Sequence, residues 1–229
     1  MGIRVLLAAV LLCLAAEMAS AGDWPVIATP KGSRLSVVSE NMAFNGVPMK
    51  MWEMVASSKH EEVLSFYRNE WKRPAIKGAP GFTEYELGEW KVISRLDEDY
   101  LITVQVMDEP PGRSVALIAM STLPVAEDLP VPGRGFPTLG DSTILNDIVA
   151  KDGSKESRTI LAKNNRPVVE NIDFYRRTFR RKGWIELTGN EEPHKNAGAL
   201  IFDKKNRELN LTVTKADTGT SIVAVFVTN

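Results

Sequence analysis

The chain has 229 residues, of which 44% are hydrophobic and 25% are charged, and its formal net charge is −1. These values are typical of globular proteins and exclude a disordered chain. A net charge near zero also argues against a nucleic-acid-binding protein. The charges are unevenly distributed, because residues 22–132 hold 11 Lys/Arg and 16 Asp/Glu, whereas residues 133–229 hold 16 and 12. Halves of opposite sign either attract each other or face different partners.

The N-terminal segment predicts export. Arg4 precedes an apolar stretch from Val5 to Ala16, and Ala19-Ser20-Ala21 gives the small-x-small pattern that a signal peptidase reads. The stretch is too short for a membrane-spanning helix, which needs roughly 20 residues. We expect residues 1–21 to be a signal peptide cleaved after Ala21, with no transmembrane span in the mature chain. A buried N-terminal helix is the alternative.

Cysteine usage bears on the compartment. Cys13 is the only cysteine and lies within the predicted signal peptide. The mature chain would therefore have no disulfide, no thiolate metal site and no cysteine nucleophile. Small extracellular eukaryotic domains usually carry disulfides, so we expect a bacterial protein that is periplasmic or secreted.

Residues 22–123 predict a first α+β module. Its helix should span Lys59–Lys72, with Ser58 and Glu61 as a capping box. We expect one strand before the helix and three after it: Lys50–Val55, then Glu89–Arg95, Tyr100–Val106 and Ser114–Met120. Arg34–Val38 is a candidate additional edge strand.

A linker and a second module should follow. Residues 124–140 contain four prolines and predict a semi-rigid linker. In residues 141–229 the helix should span Pro167–Lys182, with Asn165 as a cap and Gly183 as a left-handed end. The expected strands are Ser157–Ala162, Gly198–Asp203, Glu208–Lys215 and Ser221–Thr228, with Thr143–Val149 as a candidate edge strand.

The two predicted modules are similar in sequence. Met51–Arg73 aligns without a gap on Thr159–Arg181, at an offset of 108 residues. Downstream, Ile102-Thr103-Val104 aligns with Leu211-Thr212-Val213. The alignment predicts a duplication. The expected fold class is α+β, with two tandem copies of a β-α-β-β-β module, each an antiparallel sheet with one packed helix. Three tryptophans fall at core-facing positions of the repeat, namely Trp52, Trp71 and Trp184, whereas Trp24 and Trp90 are less constrained.

Few residues suggest catalysis or metal binding. His60 is not part of a helical zinc motif, because Leu64 occupies the position of the second histidine. His194 follows Glu191-Glu192, an arrangement suited to a metal or to acid–base chemistry, although a polar turn explains it as well. No glycine-rich phosphate loop and no Gly-x-Ser-x-Gly elbow is present. We therefore predict no cofactor, no metal and no catalytic residue.

The predicted second helix carries the clearest candidate binding surface. Its C-terminal part contains a cluster of basic residues: Arg176, Arg177, Arg180, Arg181 and Lys182. At 100° per residue the arginines lie opposite the apolar stripe of the helix. They would bind an anionic lipid headgroup, an acidic polysaccharide or an acidic protein surface. The alternative is a solvated helix face whose cations favour the helix C-terminus.

These features are consistent with three functional hypotheses. The leading hypothesis is an exported, non-enzymatic protein that acts through protein–protein contacts with a partner in the cell envelope, such as an envelope or secretion accessory. The second is a binding module for an anionic small molecule or glycan on the arginine-rich helix face. The third is a hydrolase or metal-dependent enzyme centred on Glu191, Glu192 and His194.

Overall fold

The structure is a computed structural model, and it describes residues 24–124, 129–192 and 196–228. The predicted signal peptide, with Cys13 and the cleavage site, lies outside the described residues. Strands account for 54% of the described residues and helices for 13%. The protein is therefore mainly antiparallel β rather than α+β.

The two halves of the chain contain their elements in the same order, namely two strands, a helix and four strands. The first half consists of β1 (Arg34–Phe44), β2 (Val47–Ala56), α1 (His60–Glu70), β3 (Thr83–Leu87), β4 (Trp90–Asp97), β5 (Tyr100–Glu109) and β6 (Arg113–Thr122). The second half consists of β7 (Thr143–Asp152), β8 (Lys155–Asn164), α2 (Val168–Arg181), β9 (Ile185–Glu192), β10 (Ala197–Lys204), β11 (Arg207–Lys215) and β12 (Thr220–Thr228).

The strands form one continuous antiparallel sheet. Its order is β3-β4-β5-β6-β2-β1-β7-β8-β12-β11-β10-β9, with 12 strands. The prediction of two tandem β-α-β-β-β modules with separate sheets is therefore wrong. The two candidate edge strands, β1 and β7, instead lie at the centre of the sheet and pair with each other. In addition, β3 follows α1 and β9 follows α2, at positions where no strand is predicted from the sequence.

The pairing between β1 and β7 is short. It comprises three opposed pairs, from Met42 opposite Ala150 to Phe44 opposite Ile148. The turn that follows β1 extends it, because the Asn45 backbone N–H donates to the Asp147 carbonyl oxygen at 2.8 Å. The Asn45 Oδ1 atom accepts a hydrogen bond from the Asp147 backbone N–H, also at 2.8 Å. Asn45 and Gly46 both have positive φ angles, as the Asn-Gly turn of a tight hairpin requires.

Asp147 is also the acceptor at the centre of a side-chain network. Its carboxylate oxygens accept hydrogen bonds from Arg158 Nε at 2.9 Å and from an Arg158 terminal nitrogen at 2.7 Å. The Gly133 backbone N–H donates to the same carboxylate at 2.7 Å. Burial by itself would raise the pKa of Asp147, but the hydrogen bonds from Arg158 and Gly133 outweigh it and lower the pKa below its usual value. The network therefore joins β7, β8 and the segment between the two halves.

Each helix covers its own hydrophobic core, and the strand registers place both helices on the same face of the sheet. Tyr67 of α1 and Tyr175 of α2 are completely or almost completely buried. Phe136, from the predicted linker, packs into the second core. The three tryptophans predicted to face the core, Trp52, Trp71 and Trp184, all belong to these clusters or pack against them.

The helix ends differ partly from the predictions. The N-cap of α1 is Lys59 rather than Ser58, and it makes no side-chain cap hydrogen bond. Asp108 instead accepts a hydrogen bond from the His60 backbone N–H at 2.7 Å and approaches His60 Nδ1 at 2.9 Å. Pro167, not Asn165, is the N-cap of α2. The predicted left-handed end of α2 is confirmed, because Gly183 has a φ angle of 77°.

The helices of the described residues are α1 and α2. Neither is long and apolar enough to cross a bilayer.

Replacing Asp147 by asparagine should destabilise the protein. Because Arg158 would remain partly buried without its carboxylate, we expect the free energy of unfolding at pH 7 to fall by about 2–3 kcal/mol. The lowered pKa of Asp147 sets the pH dependence. Its stabilising contribution is present above the unfolded-state pKa of about 3.9 and is lost as the pH falls through the folded-state pKa. The difference between wild type and variant should therefore shrink under acidic conditions, as measured by urea denaturation.

Asp141→Asn is the matched control. The Asp141 side chain is 54% exposed and lies 3.5 Å from Arg166, so its loss should change stability by less than about 1 kcal/mol. Equal effects of the two substitutions at pH 7 would show that the Asp147 side-chain network does not stabilise the protein.

Candidate functional site: the two open edges of the sheet

The two ends of the sheet are the first candidate site. The terminal strands are β3 and β9, and no other described strand pairs with the outer edge of either. An edge strand presents unpaired N–H and C=O groups that can pair with a strand from another chain. Natural proteins usually protect such edges with charges, prolines or covering elements, so the side chains on these two strands decide whether they are available.

Both terminal strands expose a pair of large apolar side chains. On β3, Tyr85 is 52% exposed and Leu87 is 56% exposed. On β9, Ile185 is 68% exposed and Leu187 is 62% exposed. In each pair the two residues are separated by one position, a spacing that brings side chains to one side of a strand. Each end of the sheet therefore combines an open backbone edge with exposed apolar side chains.

The length of regular strand is similar at the two edges. Thr83–Leu87 pairs with β4 without interruption over its five residues. In β9 a bulge leaves Leu187 without an opposed residue, since Thr188 lies opposite Ile201 while Glu186 lies opposite Phe202. From Thr188 to Glu192 the pairing is again continuous. Each edge thus offers about one short strand's length of regular backbone.

The predicted arginine cluster lies beside the β9 edge, but it is divided between two roles. Arg176 Nε contacts Glu186 Oε1 at 3.1 Å, and a terminal nitrogen of Arg180 contacts Glu186 Oε2 at 2.7 Å. The Glu186 side chain is only 12% exposed. Arg176 also lies 3.8 Å from Asp173. Arg176 and Arg180 therefore attach α2 to β9, and part of their charge is neutralised.

The remaining members of the cluster are exposed. Arg177 and Arg181 lie one helical turn apart on the solvent side of α2. No ion pair involves either residue within the part of the chain that the structure describes. Lys182 is the C-cap of α2, and its carbonyl oxygen accepts a hydrogen bond from Lys204 Nζ at 2.5 Å. Among the described side chains, the β9 end of the sheet is therefore basic.

The β3 end is acidic by comparison. Glu84 receives two hydrogen bonds from Arg68, at 2.7 and 2.9 Å, and Arg68 also bonds Glu61 at 2.5 Å. These bonds, first to Glu84 and then to Glu61, raise the pKa of Arg68. Glu86 accepts a hydrogen bond from Lys91, which lowers the pKa of this exposed carboxyl group. Three carboxylates surround two cations here, whereas among the described side chains beside β9 cations outnumber carboxylates.

The other candidates from the sequence are not assembled into a site. His60 begins α1 and pairs with Asp108. The side chains of Glu191 and Glu192 and the whole of His194 lie outside the described residues. Across the described ranges, no three His, Cys, Asp or Glu side chains are close enough together to hold a metal ion.

Comparisons with family models, curated proteins and solved structures find no match. The sequence did not predict β3 and β9, because these strands direct glutamates rather than apolar side chains toward the helices. Their signal is the spacing of Tyr85 and Leu87, and of Ile185 and Leu187, between polar residues. That pattern resembles an exposed loop until its pairing with the neighbouring strand is known.

Replacing Glu186 by glutamine should loosen the attachment of β9 to α2. Since the substitution removes the carboxylate shared by Arg176 and Arg180, we expect a loss of about 1–2 kcal/mol in stability. Backbone amides of β9 should exchange with solvent faster than in the wild type, as measured by hydrogen–deuterium exchange.

Glu208→Gln, on the exposed surface of β11, is the control and should leave exchange in β9 unchanged. If Glu186→Gln also leaves β9 exchange unchanged, the two arginine pairs do not secure this edge.

Proposed function

We propose that the protein is exported and acts without catalysis, by binding partner proteins of the cell envelope through the open edges of its sheet. The observation that carries the proposal is the pair of exposed apolar side chains on each terminal strand, whose outer edge is open. Among these side chains Ile185 and Leu187 are the most exposed. Export rests on the charge, apolar stretch and small residues of the N-terminal sequence.

Strand addition is the binding mode that these edges support. A partner segment in extended conformation would form backbone hydrogen bonds along β3 or along β9, which supply affinity. Specificity would come from side chains on alternate positions, because those on one side of the added strand would meet Tyr85 and Leu87 or Ile185 and Leu187. The surfaces are small, so each contact should be exchangeable or should act together with the other edge.

The charges of the two ends support different partners. The β9 edge lies beside Arg177 and Arg181 and would favour a segment with acidic side chains. The β3 edge carries Glu84 and Glu86 and would disfavour the same segment through like-charge repulsion. One molecule could therefore connect two different surfaces, in keeping with the opposite charge balance of residues 22–132 and 133–229.

The second candidate function is binding of an anionic small molecule or glycan to the helix face. It is supported by the exposure of Arg177 and Arg181 and by the lack of a described ion pair at either residue. Substitutions at Ile185 and Leu187 distinguish the two candidates. A ligand confined to the helix face would be lost in Arg177→Glu/Arg181→Glu but would not respond to changes at Ile185 or Leu187.

Site-specific photocrosslinking in cells tests the leading proposal. A photoreactive residue is placed at Leu187, at Leu87 or, as a background control, at Val169, which is 57% exposed on α2. We expect a reproducible adduct with one protein from position 187. Combining that probe with Arg177→Glu/Arg181→Glu should reduce the adduct at least about tenfold, because an acidic segment would be repelled, while the adduct from position 87 persists.

Cell fractionation of the same strains tests export, since the mature protein should separate from the cytoplasm. A protein that stays monomeric in its native compartment, and whose edge probes give no more adduct than the Val169 probe, would refute binding through the edges.

A further inference from the structure

A cleft of about 280 Å³ opens in the second half of the protein, at the C-terminal end of α2. It is bounded by the segment before β7 and by residues of β8, β11 and β12. Its size is close to the lower end of ligand sites, which run from roughly 300 to 1,000 Å³. The cleft lies apart from the exposed apolar pair of the β9 edge, whose side chains do not line it.

The walls of the cleft are aromatic. The Trp184 ring lies 6.0 Å from the Phe226 ring and 5.9 Å from the Phe179 ring, with both pairs edge to face. Phe136 completes this wall, 6.2 Å from Phe226. Flat apolar groups pack favourably against such rings in edge-to-face or offset geometry.

The rim of the cleft is predominantly cationic. Lys182, Arg158 and Arg207 line it, and the only carboxylate among the lining residues is Glu156. Glu156 is paired with Lys151 at 3.1 Å, and Arg158 is paired with Asp147. The Arg207 guanidinium lies over the Trp184 ring at 5.3 Å, and neither Arg207 nor Lys182 has a described carboxylate partner. Arg207 and Lys182 therefore supply the positive charge available to a ligand.

The first half of the sheet has equivalent positions. Arg158 of β8 lies opposite Phe226 of β12, as Lys50 of β2 lies opposite Met120 of β6. The next strand in each half continues this correspondence, so that Tyr100 of β5 corresponds to Arg207 of β11. Lys50 and Tyr100 are thus the counterparts of the two arginines on the rim.

In the first half this space is filled by the chain itself. The Trp24 ring lies 5.1 Å from the Tyr100 ring, and Lys50 Nζ lies 5.1 Å from the centre of the Trp24 ring. Trp24 also packs against the first hydrophobic core. In the second half, Phe136 contributes to the wall of the cleft but does not fill it. No described residue occupies the space between Arg158 and Arg207 as Trp24 does between Lys50 and Tyr100.

A buried hydroxyl group gives an independent sign that the second half is less completely covered. In the first half the Tyr67 hydroxyl donates to the Ala28 carbonyl oxygen at 3.1 Å, in the segment that carries Trp24. Tyr175 is the counterpart of Tyr67, and its buried hydroxyl has no hydrogen-bond partner among the described residues. Among the described residues, therefore, only the first half has a segment that both accepts the tyrosine hydrogen bond and fills the space above it.

We infer that the cleft at the end of α2 binds a compact planar aromatic group that carries a negative charge. The ring takes the place that the Trp24 side chain occupies in the first half, against Trp184 and Phe226. The anionic substituent lies at the rim, within reach of Arg207 and Lys182. A free aromatic carboxylate and an aromatic side chain beside an acidic residue of a partner protein share this chemistry.

Calorimetric titration of the purified protein with 2-naphthoate tests the inference. We expect saturable binding at one site per chain, and at least about tenfold weaker binding of the neutral 2-naphthamide, the change expected for loss of one charge-assisted hydrogen bond. Arg207→Gln should weaken 2-naphthoate binding by a similar factor. Lys205→Gln, in the adjacent exposed turn, should leave it unchanged.

A second variant locates the site without changing charge. Thr228→Trp places an indole on the lining of the cleft and should abolish binding while leaving the circular dichroism spectrum unchanged. A peptide with tryptophan between two aspartates identifies the source of the ligand, since tighter binding of the peptide than of 2-naphthoate indicates a partner protein and the reverse indicates a small molecule. Equal binding of naphthoate and naphthamide, or undiminished binding to Arg207→Gln and Thr228→Trp, would overturn the inference.

Discussion

The continuity of the sheet depends on the short junction between β1 and β7, where Asp147 lies. Direct pairing between β1 and β7 covers only three opposed pairs, too few to hold two large half-sheets in register by themselves. Asp147 adds a backbone contact to the Asn45 turn, a bidentate ion pair with Arg158 and a hydrogen bond from Gly133. A partly buried carboxylate is stable there because three donors replace the water that it has lost. The backbone of Asp147 thus contacts the first half, while its side chain fixes the segment between the two halves.

One long sheet also determines which strands keep an open edge. Had each half formed a separate sheet, β1 and β7 would have been additional open edges. Pairing them leaves β3 and β9 as the terminal strands, at opposite ends and with opposite local charge. Near β9, Glu186 engages Arg176 and Arg180, so the arginine cluster contributes to folding as well as to the surface. The members without a described ion pair are Arg177, Arg181 and Lys182.

The equivalent halves differ most where a ligand or a partner would bind. Trp24 closes the space between Lys50 and Tyr100, whereas the corresponding space near Arg158 and Arg207 remains a cleft. The basic cluster was predictable from the spacing of its residues on one helix. The cleft was not, because its lining comes from the inter-module segment and from four other elements that are distant in sequence. The role of Trp24 was equally hidden, since nothing near it in the chain shows what it contacts.

The sequence by itself determined much of the local structure: both helices, most strands and the left-handed end at Gly183. Only the tertiary structure decided that β1 pairs with β7. It also decided which residues of the later strands correspond between the two halves. The registers place Ile102 at the position of Leu209, two residues from Leu211, with which the sequence alignment had matched it. A shift of two keeps every side chain on the same face of a strand. Periodicity therefore cannot detect that shift, and only the hydrogen-bonded neighbours of each strand define its register.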